Sequence, residues 1–309
     1  MKNSIGFSQN LNMKKIFFLL LSISIYSQNL FPFKENSLWG YKNENSKVVI
    51  KPEYYLAKKF INDYAIVGKN DSLGIINKEN KVILPFKFNM LQYLNPTTYL
   101  YGYQSKYFGE FSIGIIDLNG NKLTPPLYYN INFRDNKYFV TIKNDKEILD
   151  GPLFGMKEDE TKYGVLDMNG KTLIPVVYDY SKSVDFDRIV MTDQKNNMEI
   201  LFDNRGNKLT NEKFNSINLF YDGISDVRIN SQCGYINKEG KIIIPVSYSA
   251  CYPFYKDKAI VSQNFKFVII DKNANPLTES LSYEEMKNYL ESQQLQIMFD
   301  DFRFMNRKN

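Results

Sequence analysis

The sequence predicts an all-β fold, a tandem array of about seven three-stranded, hairpin-like repeats arranged as a propeller-like ring or an open superhelix. Three observations lead there. A unit recurs, with its clearest copies at Gly114-Ile-Ile-Asp-Leu-Asn-Gly-Asn-Lys-Leu-Thr-Pro125, Gly164-Val-Leu-Asp-Met-Asn-Gly-Lys-Thr-Leu-Ile-Pro175 and Gly234-Tyr-Ile-Asn-Lys-Glu-Gly-Lys-Ile-Ile-Ile-Pro245. Copies start at 40, 74, 114, 164, 200, 234 and 268, so the intervals are 34, 40, 50, 36, 34 and 34 residues. An aromatic stands three residues past each Pro position: Tyr55, Phe88, Tyr128, Tyr178, Phe214 and Tyr248. A fixed period of this length is the signature of stacked supersecondary units, each buried by its neighbours.

The N-terminus reads as a targeting segment. Lys14 and Lys15 precede the apolar run Ile16–Ile25, and Tyr26-Ser27-Gln28 follows. A basic start, a short apolar stretch and a small residue at the cut site describe a secretory signal peptide over 1–27, with a true start at Met13 or Met1. The run is too short to span a bilayer comfortably, so no membrane span is expected in the mature chain. Residues 28–37 form a short linker, and the repeat body covers 38–280.

Within a unit, the segment after the leading Gly (Gly40, Gly74, Gly114, Gly164, Gly234) is short and β-branched, which suits a strand. Asp/Asn-x-x-Gly then marks a hairpin turn, the Asx side chain accepting backbone N–H groups and Gly supplying positive φ. A second strand ends near the Pro, which lacks an N–H and belongs at a strand end or edge. A polar stretch leads to a third strand, as in Tyr64-Ala-Ile-Val67 and Lys258-Ala-Ile-Val261. The copies at 200 and 268 have lost the leading Gly and the Pro. After the last copy, Ser282-Tyr-Glu-Glu285 is a capping box, and apolar residues at helical spacing predict a helix over 283–301 that closes the array. Residues 281–309 are therefore a C-terminal helix and tail.

Composition narrows the chemistry. There is no His among 309 residues, which removes His-based acid–base catalysis and the commonest zinc ligand. The two cysteines, Cys233 and Cys251, cannot build a structural zinc site unaided. Export would permit a bridge between them, but spacing alone leaves it open. No phosphate loop, nucleophile elbow or dinucleotide fingerprint is present, and no cofactor is expected. Net charge is +5, and three of the lysines lie in the targeting segment, so no basic stripe points to nucleic acid. The Asp-x-Asn-Gly turns faintly resemble calcium loops, yet each offers at most one carboxylate. The densest acidic run, Glu158-Asp159-Glu160, reads as a solvated loop beside Gly151 and Gly155.

With Trp39-Gly40 heading the first copy and Tyr163-Gly164 and Cys233-Gly234 at equivalent places, the unit resembles the bacterial WG repeat over roughly 38–280. Only Trp39 supplies the name-giving Trp; other copies carry Leu73, Ile113, Tyr163, Cys233 or Phe267 there. The resemblance implies an all-β array of hairpin-like units with no shared catalytic residues.

These readings point to an exported, non-catalytic binding or interaction module of the periplasm or cell exterior, its partner a protein or an envelope polymer. The competing reading is a glycosidase-like hydrolase using two carboxylates, which needs no His. The long intervals place two insertions, near 102–111 and 144–162, at the same point of neighbouring units. Insertions on one face of a repeat array often form its binding surface. Tyr103, Tyr107, Phe108, Phe111 and Phe154 are therefore the candidate binding edge, with a local packing cluster as the plainer alternative.

Overall fold

The computed structural model describes residues 29–104, 111–147, 157–295, 298, 300 and 301. The targeting segment at 1–27 lies outside the described residues. Within them the chain forms seven antiparallel meanders in sequence order. The first sheet holds β1 (Leu30–Glu35), β2 (Leu38–Asn43) and β3 (Val48–Tyr54). The second holds β4 (Leu56–Ala57), β5 (Tyr64–Lys69), β6 (Ser72–Asn77) and β7 (Val82–Phe88), and the third β8 (Met90–Asn95), β9 (Thr98–Gln104) and β10 (Phe111–Asp117). The fourth comprises β11 (Asn130–Arg134), β12 (Lys137–Glu147), β13 (Lys157–Leu166) and β14 (Thr172–Tyr178). In the fifth are β15 (Tyr180–Asp185), β16 (Arg188–Asp193) and β17 (Met198–Asp203). The sixth has β18 (Ser216–Ile217), β19 (Ile224–Ile229), β20 (Gln232–Asn237) and β21 (Ile242–Tyr248), and the seventh β22 (Ala250–Cys251), β23 (Lys258–Gln263) and β24 (Lys266–Asp271). To the three strands read from each unit the structure adds a lead strand, only two residues long in β4, β18 and β22. A repeat counted from Gly to Gly therefore straddles two sheets: it finishes one meander and starts the next.

The Gly-to-Pro spacing has a single physical cause. Opposite Gly114 the neighbouring segment bulges across the strand, so a Cβ there would meet the carbonyl oxygens of Thr124 and Pro125 at 2.8 Å. The register confirms the bulge in the regular units: Leu73 pairs with Phe88 but Ile75 with Leu84, and Cys233 with Tyr248 but Tyr235 with Ile244. Pro sits in this bulge rather than at the strand end, where its missing N–H leaves the ladder intact.

All seven hairpins close on the same turn. The Oδ1 of Asn43, Asn77, Asp117, Asp167, Asp203, Asn237 and Asp271 accepts the backbone N–H four residues on. Gly120 takes the positive φ of 86° that the turn demands, and the seventh copy imposes φ 63° on Ala274. The Asx oxygens are thus committed to the turns, which settles these motifs as hairpins rather than cation loops.

The position ten residues after the leading Gly divides the units into two kinds. Ile50, Leu84, Ile174 and Ile244 stand there where the last strand is regular. Thr124, Thr210 and Thr278 stand there where it is reduced to isolated bridges. In those three units the Thr Oγ1 accepts a backbone N–H of the preceding strand: Ile115 at 2.9 Å, Leu201 at 3.1 Å and Ile269 at 3.0 Å. A side chain substitutes for a missing ladder partner.

Apolar clusters fill each gap between successive sheets, from Tyr41, Ile50, Val67 and Ile76 between the first two to Tyr235, Ile244, Val261 and Ile270 between the last two. Buried tyrosines add cross-links, Tyr41 donating to the Lys58 carbonyl at 2.7 Å and Tyr235 to that of Tyr252 at 2.8 Å. Among the described residues no core cluster joins the first sheet to the seventh. The outer face of the seventh, at Ile260 and Ile269, is instead covered by Met286 and Leu290 of α1 (Tyr283–Ser292). Among the described residues the array is an open stack with a helical cap at one end. Among the described residues no helix is long and apolar enough to cross a membrane.

Several expectations need amendment. Residues 28–37 are not a linker, since Leu30–Glu35 pair as β1 of the first sheet, and the acidic run 158–160 lies in β13 rather than in a loop. Tyr55 is not the equivalent of Phe88: the residue paired as Phe88 is to Leu73 is Tyr54, buried against the first core, whereas Tyr55 is 44% exposed. Gly40 and Pro52 are one residue further apart than in the other copies, so counting from Pro slips the register. Phe88 and Phe214 are buried, and Tyr128, Tyr178 and Tyr248 are half-buried. The helix predicted to 301 stops at Ser292. Gln294 is left-handed at φ 54°, its N–H reaches the Glu291 carbonyl, and that of Leu295 reaches Leu290, a Schellman stop without Gly; residues 298, 300 and 301 are helical again. Cys233 and Cys251, left open above, form a disulfide with Cα atoms 6.0 Å apart, which staples the sixth sheet to the seventh.

Candidate functional site

The two insertions extend equivalent hairpins, β9–β10 and β12–β13, in neighbouring sheets. The second pairing runs out to Glu147 opposite Lys157, so the insertion at 144–162 builds a long two-stranded arm. Tyr103 packs half-buried against the core between the second and third sheets, its ring edge-on to Tyr101 at 6.1 Å. Phe111 opens β10 opposite Gln104. Tyr107, Phe108 and Phe154 lie outside the described residues, as do the side chains of Phe111 and of the acidic run 158–160. The repeat marker Trp39 is half-buried against the first core, with Lys34 Nζ 5.7 Å above its ring.

At the root of the arm, between the fourth and fifth sheets, lies a groove of about 520 Å³. Its floor is one face of β11, β12 and β13. Cross-strand pairing sets Thr141 between Asn130 and Tyr163, and Asn132 beside Phe139. Its wall is the start of β15, where Tyr180 meets Tyr163 edge-on with ring centroids 5.8 Å apart. Tyr129 and Tyr180 are 50% and 53% exposed. Arg134 lays its guanidinium 3.6 Å over the Phe139 ring, and burial draws its pKa below the ordinary arginine value.

An ion pair ties the arm to the start of β15 beside the groove. Lys162 of β13 binds Asp179 at 2.6 Å, and Asp179 in turn accepts the Gln194 N–H at 2.7 Å. The Lys162 bond, with that N–H, keeps the Asp179 carboxyl below its usual range. The start of β15 is thereby fixed relative to the arm. Sequence reasoning missed the groove because its residues come from four strands of two units. The signals were the paired tyrosines flanking two repeat aromatics, Tyr128-Tyr129 and Tyr178-Asp179-Tyr180.

Among the described residues no carboxylate lines this groove. Asp185 and Asp187 do lie together elsewhere, on the turn leading into β16. Both pair with Lys238, Asp187 also binds Arg188 at 2.7 Å, and the space beside them is about 10 Å³. Burial alone would raise Asp185, but Lys238 and the Phe186 N–H hold it below the usual carboxylate range. The group clamps the fifth sheet to the turn of the sixth, since Arg188 Nε also donates to the Lys238 carbonyl at 2.6 Å. Among the described residues no group of three or more Cys, Asp or Glu is placed to hold a metal ion.

The architecture defines a β-repeat protein, an array of short antiparallel meanders in which two neighbouring units carry hairpin extensions. The model of the WG containing repeat matches residues 39–71, 74–93, 113–146 and 234–267, and the structure shows three further units of the same build. No curated protein matches the chain in sequence. Among solved structures it is similar to a eukaryotic initiation factor (11% identity over 82% of this chain and 74% of that one, TM-score 0.36). It is also similar to the dihydro-heme d1 dehydrogenase NirN (13%, 82% and 64%, TM-score 0.30) and to Hsv2 of Kluyveromyces lactis (12%, 80% and 87%, TM-score 0.25). At such TM-scores none of them transfers an arrangement or a chemistry to this chain.

Proposed function

We propose that the protein is a non-catalytic binding module that works outside the cytoplasm, engaging its partner through the groove and the adjoining arm. The observation that carries this reading is the groove itself, a concave surface within the 300–1,000 Å³ range of ligand sites, rimmed by half-exposed tyrosines on a rigid sheet. Export rests on the N-terminal segment. The hydrolase reading is not favoured, because the groove lining carries no acid and the Asp185–Asp187 pair is committed to Lys238 and Arg188.

The test is affinity capture from an envelope fraction with the wild-type protein and with Y129A/Y180A, alongside fractionation of the tagged full chain. Loss of the captured partner in the variant supports the reading. Retention of every partner by the variant, or confinement of the chain to the cytoplasm, overturns it.

A further inference from the structure

Five neutral polar side chains converge on the groove: Asn130, Asn132, Thr141, Thr161 and Ser181. Several such groups elsewhere are spent on the fold. Asn80 bonds Glu53, Asn215 bonds the Asn197 carbonyl, Asn218 bonds Asp226, and Thr124 caps a strand. Among the described residues the side chains of these five make no hydrogen bond to the chain at all. Amides and hydroxyls can each donate and accept. Five of them, uncommitted and aimed at one space, are complementary to a ligand that is itself dense in hydroxyl groups.

The aromatic content points the same way. Tyr180 exposes half its surface and offers a flat apolar face with a polar tip. Tyr163 stands edge-on to Tyr180, with ring centroids 5.8 Å apart. Such faces suit the C–H side of a pyranose ring, while the surrounding amides and hydroxyls suit its rim. Tyr129 is half-exposed too, with Lys143 Nζ 5.3 Å over its ring. Arg134 is stacked on Phe139 with its planar fork of donors at the edge, so the cations of the site add hydrogen-bond donors for the same hydroxyls.

We infer that this groove is a saccharide-binding site for a short oligosaccharide, with Tyr163 and Tyr180 as stacking platforms and Asn130, Asn132 and Thr141 as hydroxyl-reading groups. The inference rests on the binding-module reading and specifies its ligand.

It is tested by titrating the purified protein with cello-, malto-, manno- and chito-oligosaccharides and, in parallel, with acidic uronic-acid oligomers, following tyrosine fluorescence and calorimetry. At least one oligosaccharide should bind. Y180A and N130A/N132A should each weaken it at least tenfold without moving the melting temperature, since Tyr180, Asn130 and Asn132 are exposed. F265A, which removes a distant and almost fully exposed ring, should change nothing. Binding that is unchanged in Y180A and in N130A/N132A would overturn the placement of the site in this groove. Failure of every oligosaccharide, with a protein still captured through the same tyrosines, would overturn the saccharide and leave the binding module standing. Unchanged capture and unchanged titrations in all groove variants would overturn both.

Discussion

Thr124→Val tests the substitution of a side chain for a strand. The residue is 2% exposed, and its Oγ1 accepts the Ile115 N–H at 2.9 Å, while Ile115 is itself fully buried. Val keeps the shape and removes the acceptor, so the effect reduces to one buried donor left without a partner, which costs about 1–3 kcal/mol. Thr210→Val should do the same to Leu201 in the fifth sheet. The two sites share no partner, so the double variant should lose the sum, about 2–6 kcal/mol. That is a large part of an ordinary domain's stability of about 5–15 kcal/mol. Thr124→Ser separates the two contributions: it retains the oxygen and loses one methyl, a cost of about 0.8 kcal/mol. Amide exchange at Ile115 and Leu201 reads the bond directly, and urea unfolding reads its energy. If the Val variants keep both amide protection and midpoint while the Ser variant loses them, the hydroxyl is not the partner and the account of the short units is wrong.

Gly114→Ala places a Cβ 2.8 Å from two carbonyl oxygens and should cost about 1–3 kcal/mol as an overpacked contact, seen as a lower melting temperature. Reduction of the Cys233–Cys251 bridge, which closes a sequence separation of 18, should lower stability by about 3 kcal/mol, measured by unfolding with and without reductant. Asp226 is buried, and burial raises its pKa despite the Asn218 amide 2.6 Å away. A carboxyl whose folded pKa is raised stabilises below its unfolded pKa, and that stability is lost as pH rises through the folded value. The contribution of Asp226 should therefore rise as pH falls through its folded pKa, opposite in sign to that of carboxyls held low such as Asp179 and Asp185. Asp226→Asn should be more stable than the wild type at neutral pH, with the difference shrinking as pH falls, measured by urea unfolding across pH. A difference that grows on acidification would contradict this.

The repeat was legible because its two hardest constraints, a Gly under a bulge and an Asx turn, are each written in one or two residue types. Strands governed only by pairing were less so: β4, β18 and β22 hold two residues each, too few for any periodicity to register. Tyr55 was misplaced because Pro was used as the ruler. Pro lies in the bulge, the one segment free to shift by a residue, whereas Gly lies on the strand that the bulge crosses, and counting from Gly lands on Tyr54. The groove was hidden for a different reason. Asn130, Thr141, Tyr163 and Tyr180 meet only after β11, β12 and β13 pair and the next sheet stacks, and no local pattern encodes that meeting. The disulfide likewise joins two sheets, and only stacking brings its cysteines to 6.0 Å.

That the stack does not close has a consequence for lineage. A ring accepts only the number of blades whose rotations sum to a full turn, so losing or gaining one strains every interface. Here each sheet answers only to the sheet before and the sheet after, and the end is sealed by α1 rather than by the beginning. A duplication or deletion of one 34-residue period would change the length of the molecule and leave every remaining junction as it was. Copy number is then a variable that selection can adjust in whole steps, and the bulkier units that bear the hairpin extensions can be moved along the series without disturbing what flanks them.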